Sequence, residues 1–114
     1  MASLRVSQLT PSLSVAGQLE AASMAEAAAA GFRSVINNRP DFEGGPTQPT
    51  SAQLEAAAQA AGLEYRFLPV APGYQSPQEV ADFERLLTEL PAPVLAFCRT
   101  GTRSSKLFVA ATQL

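Results

Sequence analysis

Val94-Leu95-Ala96-Phe97 runs without a break into Cys98-Arg99-Thr100-Gly101-Thr102-Arg103, which in turn leads into a segment with helix character. Four consecutive apolar residues read as a short strand buried on both faces. A buried strand that feeds a helix through so short a loop belongs to a sheet covered by helices. Such a loop aims its backbone N–H groups, and the positive end of the helix, at whatever it encloses. Cys98 is the only cysteine of the chain. A free cysteine is by default a small buried hydrophobe, but a structural one requires neither a glycine three residues later nor two arginines within five. Arg99 and Arg103 add full positive charge, Gly101 permits a tight cradle, and a thiol placed there is drawn toward the reactive thiolate.

The rest of the chain repeats the strand-to-helix alternation. Leu4 to Leu9 alternates apolar and polar residues, and Leu13 to Ala16 follows a Thr10-Pro11-Ser12 turn, which together predict an edge ribbon. Leu19 to Ala30 forms a helix stopped by Gly31, with Met24 as core packing, and Phe32 to Ile36 is a strand. After a loop rich in glycine and proline, Thr50 with Gln53 caps a second, alanine-rich helix that ends at Gly62. Tyr65 to Val70 is the next strand. Ser76-Pro77-Gln78-Glu79 opens a third helix with a capping box and proline in its first turn, and Val80, Phe83, Leu86, Leu87 and Leu90 are its apolar stripe. A final helix starts near Thr102. The expected fold is α/β, a single domain over residues 1–114, with a mainly parallel sheet, helices on both faces and an N-terminal edge ribbon. In such sheets the crevice lies beyond the C-terminal strand ends, which would gather residues 37–41, 71–75 and 98–103.

Composition narrows the chemistry. The chain has 114 residues, a net charge of −2 and no basic stripe, which argues against nucleic acid or an anionic membrane as partner. With one cysteine there is no internal disulfide, and Met1-Ala2-Ser3-Leu4-Arg5 lacks a secretion signal's apolar core, so a cytoplasmic protein is expected. Histidine is absent, which removes Ser-His and Cys-His pairs and most catalytic zinc sites. No metal or other cofactor is expected, and the expected partner is a small anion: a persulfide, thiosulfate or a phosphate ester.

On Gln8-Leu9-Thr10-Pro11, Ser14 to Leu19, Ala30-Gly31-Phe32, Val35-Ile36-Asn37 with Arg39-Pro40-Asp41, Leu68-Pro69-Val70 and Cys98 to Ser104, the chain resembles a known family. It is the phosphatase-like domain of beta-lactamase hydrolase-like proteins, small bacterial domains also described as sulfur transferases. The resemblance covers nearly the whole chain and implies a tyrosine-phosphatase-like fold with Cys98 as nucleophile. It also implies a functional link to a metallo-hydrolase or a persulfide-oxidising enzyme. Asn38 stands where family members often carry an aliphatic residue.

Cysteine-class protein phosphatases place their arginine six residues after the nucleophile, whereas here Arg103 is the fifth residue after Cys98 and Ser104 the sixth. The shorter loop resembles that of rhodanese-type sulfurtransferases and favours sulfane-sulfur transfer through a Cys98 persulfide, with Arg103, Arg99, Thr100, Gly101 and Thr102 holding the anion. One alternative is phosphate-ester hydrolysis through a phosphocysteine, with Asp41 as general acid. Another is a non-catalytic module that binds an anion or a partner. Asp41 reads more readily as a turn residue or an ion partner of Arg39 than as that acid, Arg39 as a solvated charge or an anion contact, and Tyr74 as a pocket wall or packing. Ser104 reads as a helix-opening residue or a donor to the thiolate.

Overall fold

In a computed structural model, described over residues 4–113, the apolar run Val94–Phe97 is the central strand of a five-stranded sheet. The elements in chain order are β1 (Ser7–Thr10), β2 (Leu13–Ala16), α1 (Ala21–Ala29), β3 (Ser34–Asn37) and α2 (Ser51–Ala60), followed by β4 (Glu64–Phe67), α3 (Pro77–Glu89), β5 (Val94–Phe97) and α4 (Thr102–Ala111). The strand order is β1-β2-β5-β3-β4. β5 runs parallel to both β2 and β3, β4 is parallel to β3, and only β1 is antiparallel, as the hairpin partner of β2. This is the mixed α/β architecture expected, with β1 as the edge ribbon.

The pleat of β5 explains its unbroken apolar composition. Val94 and Ala96 join a core with Leu13, Val15, Ile36, Val80, Phe83 and Leu107, under α3 and α4. Leu95 and Phe97 point the other way, into a core with Val35, Met24, Ala27, Leu54 and Ala58 under α1 and α2. A strand with a core on each face needs apolar residues at every position. The alanines of α2 keep that helix slim, and Ala58 is fully buried. Met24 is likewise a core residue.

The caps form as read. Thr50 Oγ1 accepts the Gln53 N–H at 3.2 Å and Ser76 Oγ accepts the Glu79 N–H at 3.1 Å, with Pro77 in the first turn of α3. Strand ends differ from expectation for local reasons. The fourth strand stops at Phe67, because Pro69 has no N–H to continue the ladder; Leu68 N–H and Val70 N–H still donate to the carbonyls of Asn37 and Asn38, at 2.9 and 3.0 Å. β3 begins at Ser34, where the pairing with β4 and β5 begins. β1 starts at Ser7, paired with Val15, and its register shifts between Gln8 and Thr10. The reading of Met1-Ala2-Ser3 lies outside the described residues. No described helix is long and apolar enough to cross a membrane.

Candidate active site

The loop after β5 is fixed from below before any substrate is considered. Cys98 N–H donates to the Ala16 carbonyl at 3.3 Å, Gln18 N–H donates to the Arg99 carbonyl at 3.2 Å, and Asn38 N–H donates to the Phe97 carbonyl at 2.8 Å. The loop is thus tied to the ends of both strands that flank β5. Gly17 permits the close approach, since a side chain there would meet the Arg99 carbonyl oxygen at 3.1 Å. Gly101 takes φ of +91° as the residue that caps α4, a conformation that strains other residues. Its amide N–H thereby turns onto the sulfur of Cys98, at 3.1 Å.

Cys98 is 1% exposed, at the base of a cleft of about 420 Å³. Burial alone pushes its thiol up, but the amides of Ser104 and Thr100, the Ser104 hydroxyl and the Gly101 amide pull harder and hold the thiol below its ordinary range. Cys98, Arg99, Thr100, Thr102, Arg103 and Lys106 form one side of the cleft, and Ala71 to Gln75 form the other, with Gln75 Nε2 donating to the Arg103 carbonyl at 3.0 Å. Tyr74 lines the cleft and is 66% exposed, so it is a wall rather than packing. Among the described residues that line the cleft there is no carboxylate.

Arg103 is held in a set pose. Its Nη1 donates to Glu43 Oε2 at 3.1 Å and to the Val70 carbonyl at 3.0 Å, and its Nη2 donates to Glu43 Oε1 at 3.0 Å. A guanidinium has five N–H groups in a plane. With three used, the Nε–H and one Nη2–H remain, side by side on one edge, which is the two-pronged geometry that grips an oxyanion. Glu43 also accepts from Arg39 Nε at 2.9 Å, and Arg39 Nη1 donates to Gln18 Oε1 at 3.0 Å. Burial pushes the Glu43 carboxyl up, but the hydrogen bonds and charges of Arg103 and Arg39 outweigh it and hold Glu43 below the usual carboxylate range.

The remaining candidates fall on the underside of the loop. Arg39 is a buried strut between Gln18 and Glu43 and does not line the cleft. Asp41 also lies off the cleft lining, where its Oδ1 accepts the Ser51 N–H at 2.7 Å, one of the unpaired amides in the first turn of α2. The Ser104 hydroxyl donates to Asn38 Oδ1 at 2.8 Å. No group of three or more described His, Cys, Asp or Glu residues is placed to hold a metal ion.

Residues 4–114 match the family model for the phosphatase-like domain of beta-lactamase hydrolase-like protein. The chain belongs to that family. A beta-lactamase hydrolase-like protein of Agrobacterium fabrum is 37% identical over 106 residues, which cover 93% of this chain but 24% of that protein. The phosphatase-like domain therefore spans about a quarter of the relative it matches. A crystal structure of a candidate phosphatase from Neisseria meningitidis superposes with a TM-score of 0.83 at 36% identity, over 95% of this chain and 74% of that one. The fold alone is shared with Pseudomonas aeruginosa TpbA, solved in complex with phosphotyrosine, at a TM-score of 0.67 and 19% identity, over 91% of this chain and 59% of that one. A phosphatase-like, hydrolase-type enzyme is thus supported at the level of family and fold.

Sequence reasoning missed two residues of the phosphatase-like domain's cleft and its support. Lys106 stands three residues after Arg103 and four after Thr102 on α4, a helical spacing that could have placed it on the same face. Glu43 gave no such signal, because it sits in an irregular loop and meets Arg103 across 60 residues.

Proposed function

We propose that this chain moves sulfane sulfur through a Cys98 persulfide, using the phosphatase-like fold as an anion-binding scaffold. The observation that carries this reading is the tightness of the cradle: the Gly101 amide closes on the sulfur itself at 3.1 Å, in a loop that reaches Arg103 one residue early. A cradle drawn in around one sulfur suits an anionic persulfide. The Cys98 thiolate attacks the outer sulfur of thiosulfate or of a small persulfide; the new S–S bond forms as the old one breaks, and sulfite or a thiolate leaves with the bonding pair. An acceptor thiolate or cyanide then takes the outer sulfur and returns Cys98 as thiolate. No external oxidant or reductant is consumed. Sulfite and thiolates leave as stable anions without a proton, which suits a cleft lined by Arg99, Arg103 and Lys106. The free edge of Arg103 and the loop amides hold the developing charge.

A second reading, hydrolysis of aryl phosphate esters through a phosphocysteine, is favoured by Tyr74 as an aromatic wall and by the phosphotyrosine bound to TpbA. An aryl oxide leaves more easily than an alkoxide and leans less on a general acid. The two readings separate by intact mass. After brief exposure to thiosulfate the chain is expected to gain one sulfur on Cys98 and to pass it to cyanide. Cys98→Ser should lower that turnover by at least about 10³-fold. Efficient Cys98-dependent cleavage of an aryl phosphate, with no persulfide formed, would reverse the ranking.

A further inference from the structure

Asn38 ties together, from below, the segments that form the two sides of the cleft. Its backbone N–H donates to the carbonyl of Phe97, the residue before Cys98, at 2.8 Å, and its own carbonyl accepts the Val70 N–H at 3.0 Å. Its side chain bonds on both sides: Nδ2 donates to the Leu68 carbonyl at 3.0 Å, and Oδ1 accepts the Ser104 hydroxyl at 2.8 Å. Asn38 and Ser104 are both 0% exposed, which leaves no solvent to stand in for either. The side chain is thus a clasp between the stretch that leads into residues 71–75 and the first turn of α4. We propose that Asn38 is a positioning residue, whose clasp from Leu68 to Ser104 fixes the span across which Arg103 offers its free edge to an anion at Cys98.

Arg103 depends on both ends of that clasp. Its own backbone lies beside Ser104 in α4, and the carbonyl that receives its Nη1, at 3.0 Å, belongs to Val70, whose N–H bonds to Asn38. Glu43 grips the guanidinium, but its bonds among the described residues go to Arg103, Arg39 and Pro40, and none reaches the backbone of α4 or of residues 68–70. A two-pronged grip needs both donors aimed at one anion, so a slight shift of α4 against residues 68–70 weakens it while the positive charge stays. The bond from the Gly101 N–H to the Cys98 sulfur lies within the loop and does not cross the clasp. Without the Asn38 side chain, therefore, the grip on the anion should loosen while the sulfur stays cradled.

Such positioning rests on Arg103 receiving the anion, whichever group Cys98 transfers, and two alkylating reagents test it without any turnover. Iodoacetate carries a carboxylate for Arg103 to grip and iodoacetamide does not. The ratio of their rates on the full chain therefore reads the grip, while the abundance of thiolate cancels. Asn38→Leu should lower that ratio by about tenfold, the worth of one hydrogen bond to a charged group. Ser104→Ala, which opens the same clasp from its other end, should lower it to a similar degree, and the double variant should fall little beyond Asn38→Leu alone. Asp41→Ala, which touches neither Arg103 nor Cys98, should lose stability with the ratio unchanged, so that a lost position is told apart from a weakened fold. A folded Asn38→Leu protein with the ratio of the unaltered chain would overturn the proposal, and so would an equal fall in Asp41→Ala. Should Asn38→Leu fail to fold, Ser104→Ala decides by the same criterion. Arg103→Ala is the reference: an unchanged ratio there would end the role of Arg103 as anion partner and the clasp with it, whereas a fall there with none in Asn38→Leu overturns the clasp alone. If the ratios fall as expected while no sulfur is transferred, the sulfur-transfer reading fails and the clasp stands.

Discussion

Beneath the Cys98 loop, Asn38, Ser104 and Arg39 are buried, Glu43 is largely covered, and no buried side-chain N or O atom among the described residues lacks a partner. Above the loop, Arg99, Thr100, Thr102, Lys106 and Tyr74 are exposed, and of these only Thr100 and Thr102 bond to each other, at 3.1 Å. The two regions share the same few residues of backbone, yet they answer to different physics. Buried polar groups must be paired or they cost free energy, so the underside has one arrangement. Exposed charges lose little by moving, so the upper side adapts to what enters. The underside sets the pose of Cys98 and Arg103, and under the proposed function selection of the anion falls to the upper side.

Changing Glu43 tests the underside most severely. Glu43→Gln leaves Arg103 and Arg39 with one neutral acceptor in place of a shared carboxylate. Turnover is expected to fall by about 100-fold as Arg103 loses its pose, with a stability loss of about 2 kcal/mol in chemical unfolding. Because the folded protein holds Glu43 below the usual carboxylate range, the unfolded chain binds this proton more readily. The contribution of Glu43 is therefore complete above the ordinary carboxylate pKa and is lost as pH falls through the lower folded value. Glu43→Gln should abolish that part of the acid dependence. A variant with full activity and unchanged acid unfolding would erase the distinction between the two regions.

Asp41→Ala sharpens it, because Asp41 belongs to the underside without touching Arg103 or Cys98. Loss of the bond to Ser51 N–H should cost about 1 kcal/mol of stability, as a lost cap does, with turnover unchanged. A large drop in phosphate-ester cleavage alone would instead return Asp41 to the acid role. The smallest effect is expected above the loop. Lys106→Ala should raise KM by about threefold to tenfold, more at low salt than at high, and leave kcat and the melting temperature unchanged. A fall in kcat would make Lys106 part of the chemistry.

Much of this was legible in the chain. The apolar run of β5, the caps at Thr50 and Ser76, and the cysteine loop are local signals, set by side-chain period and by hydrogen bonds within three residues. Strand ends were less legible, because a strand stops where its neighbour stops pairing; Val70 lies beside Asn38 but outside the ladder. The roles of Arg39 and Asp41 were illegible for the same reason. Each has a short-range reading as a loop charge or turn residue, but Arg39 joins Glu43, four residues on, to Gln18, 21 residues back, and Asp41 meets Ser51, 10 residues on.

By itself the sequence determined that a single cysteine would stand in an arginine- and glycine-bearing loop between a doubly buried strand and a helix. That follows from nearest-neighbour chemistry: pattern, capping and backbone freedom all act within a few residues. Only the tertiary structure decided where the Ser104 proton goes and what holds Arg103. Those bonds join residues 66 and 60 positions apart, and they form because burial forces each polar group to find a partner among whatever the fold has brought near.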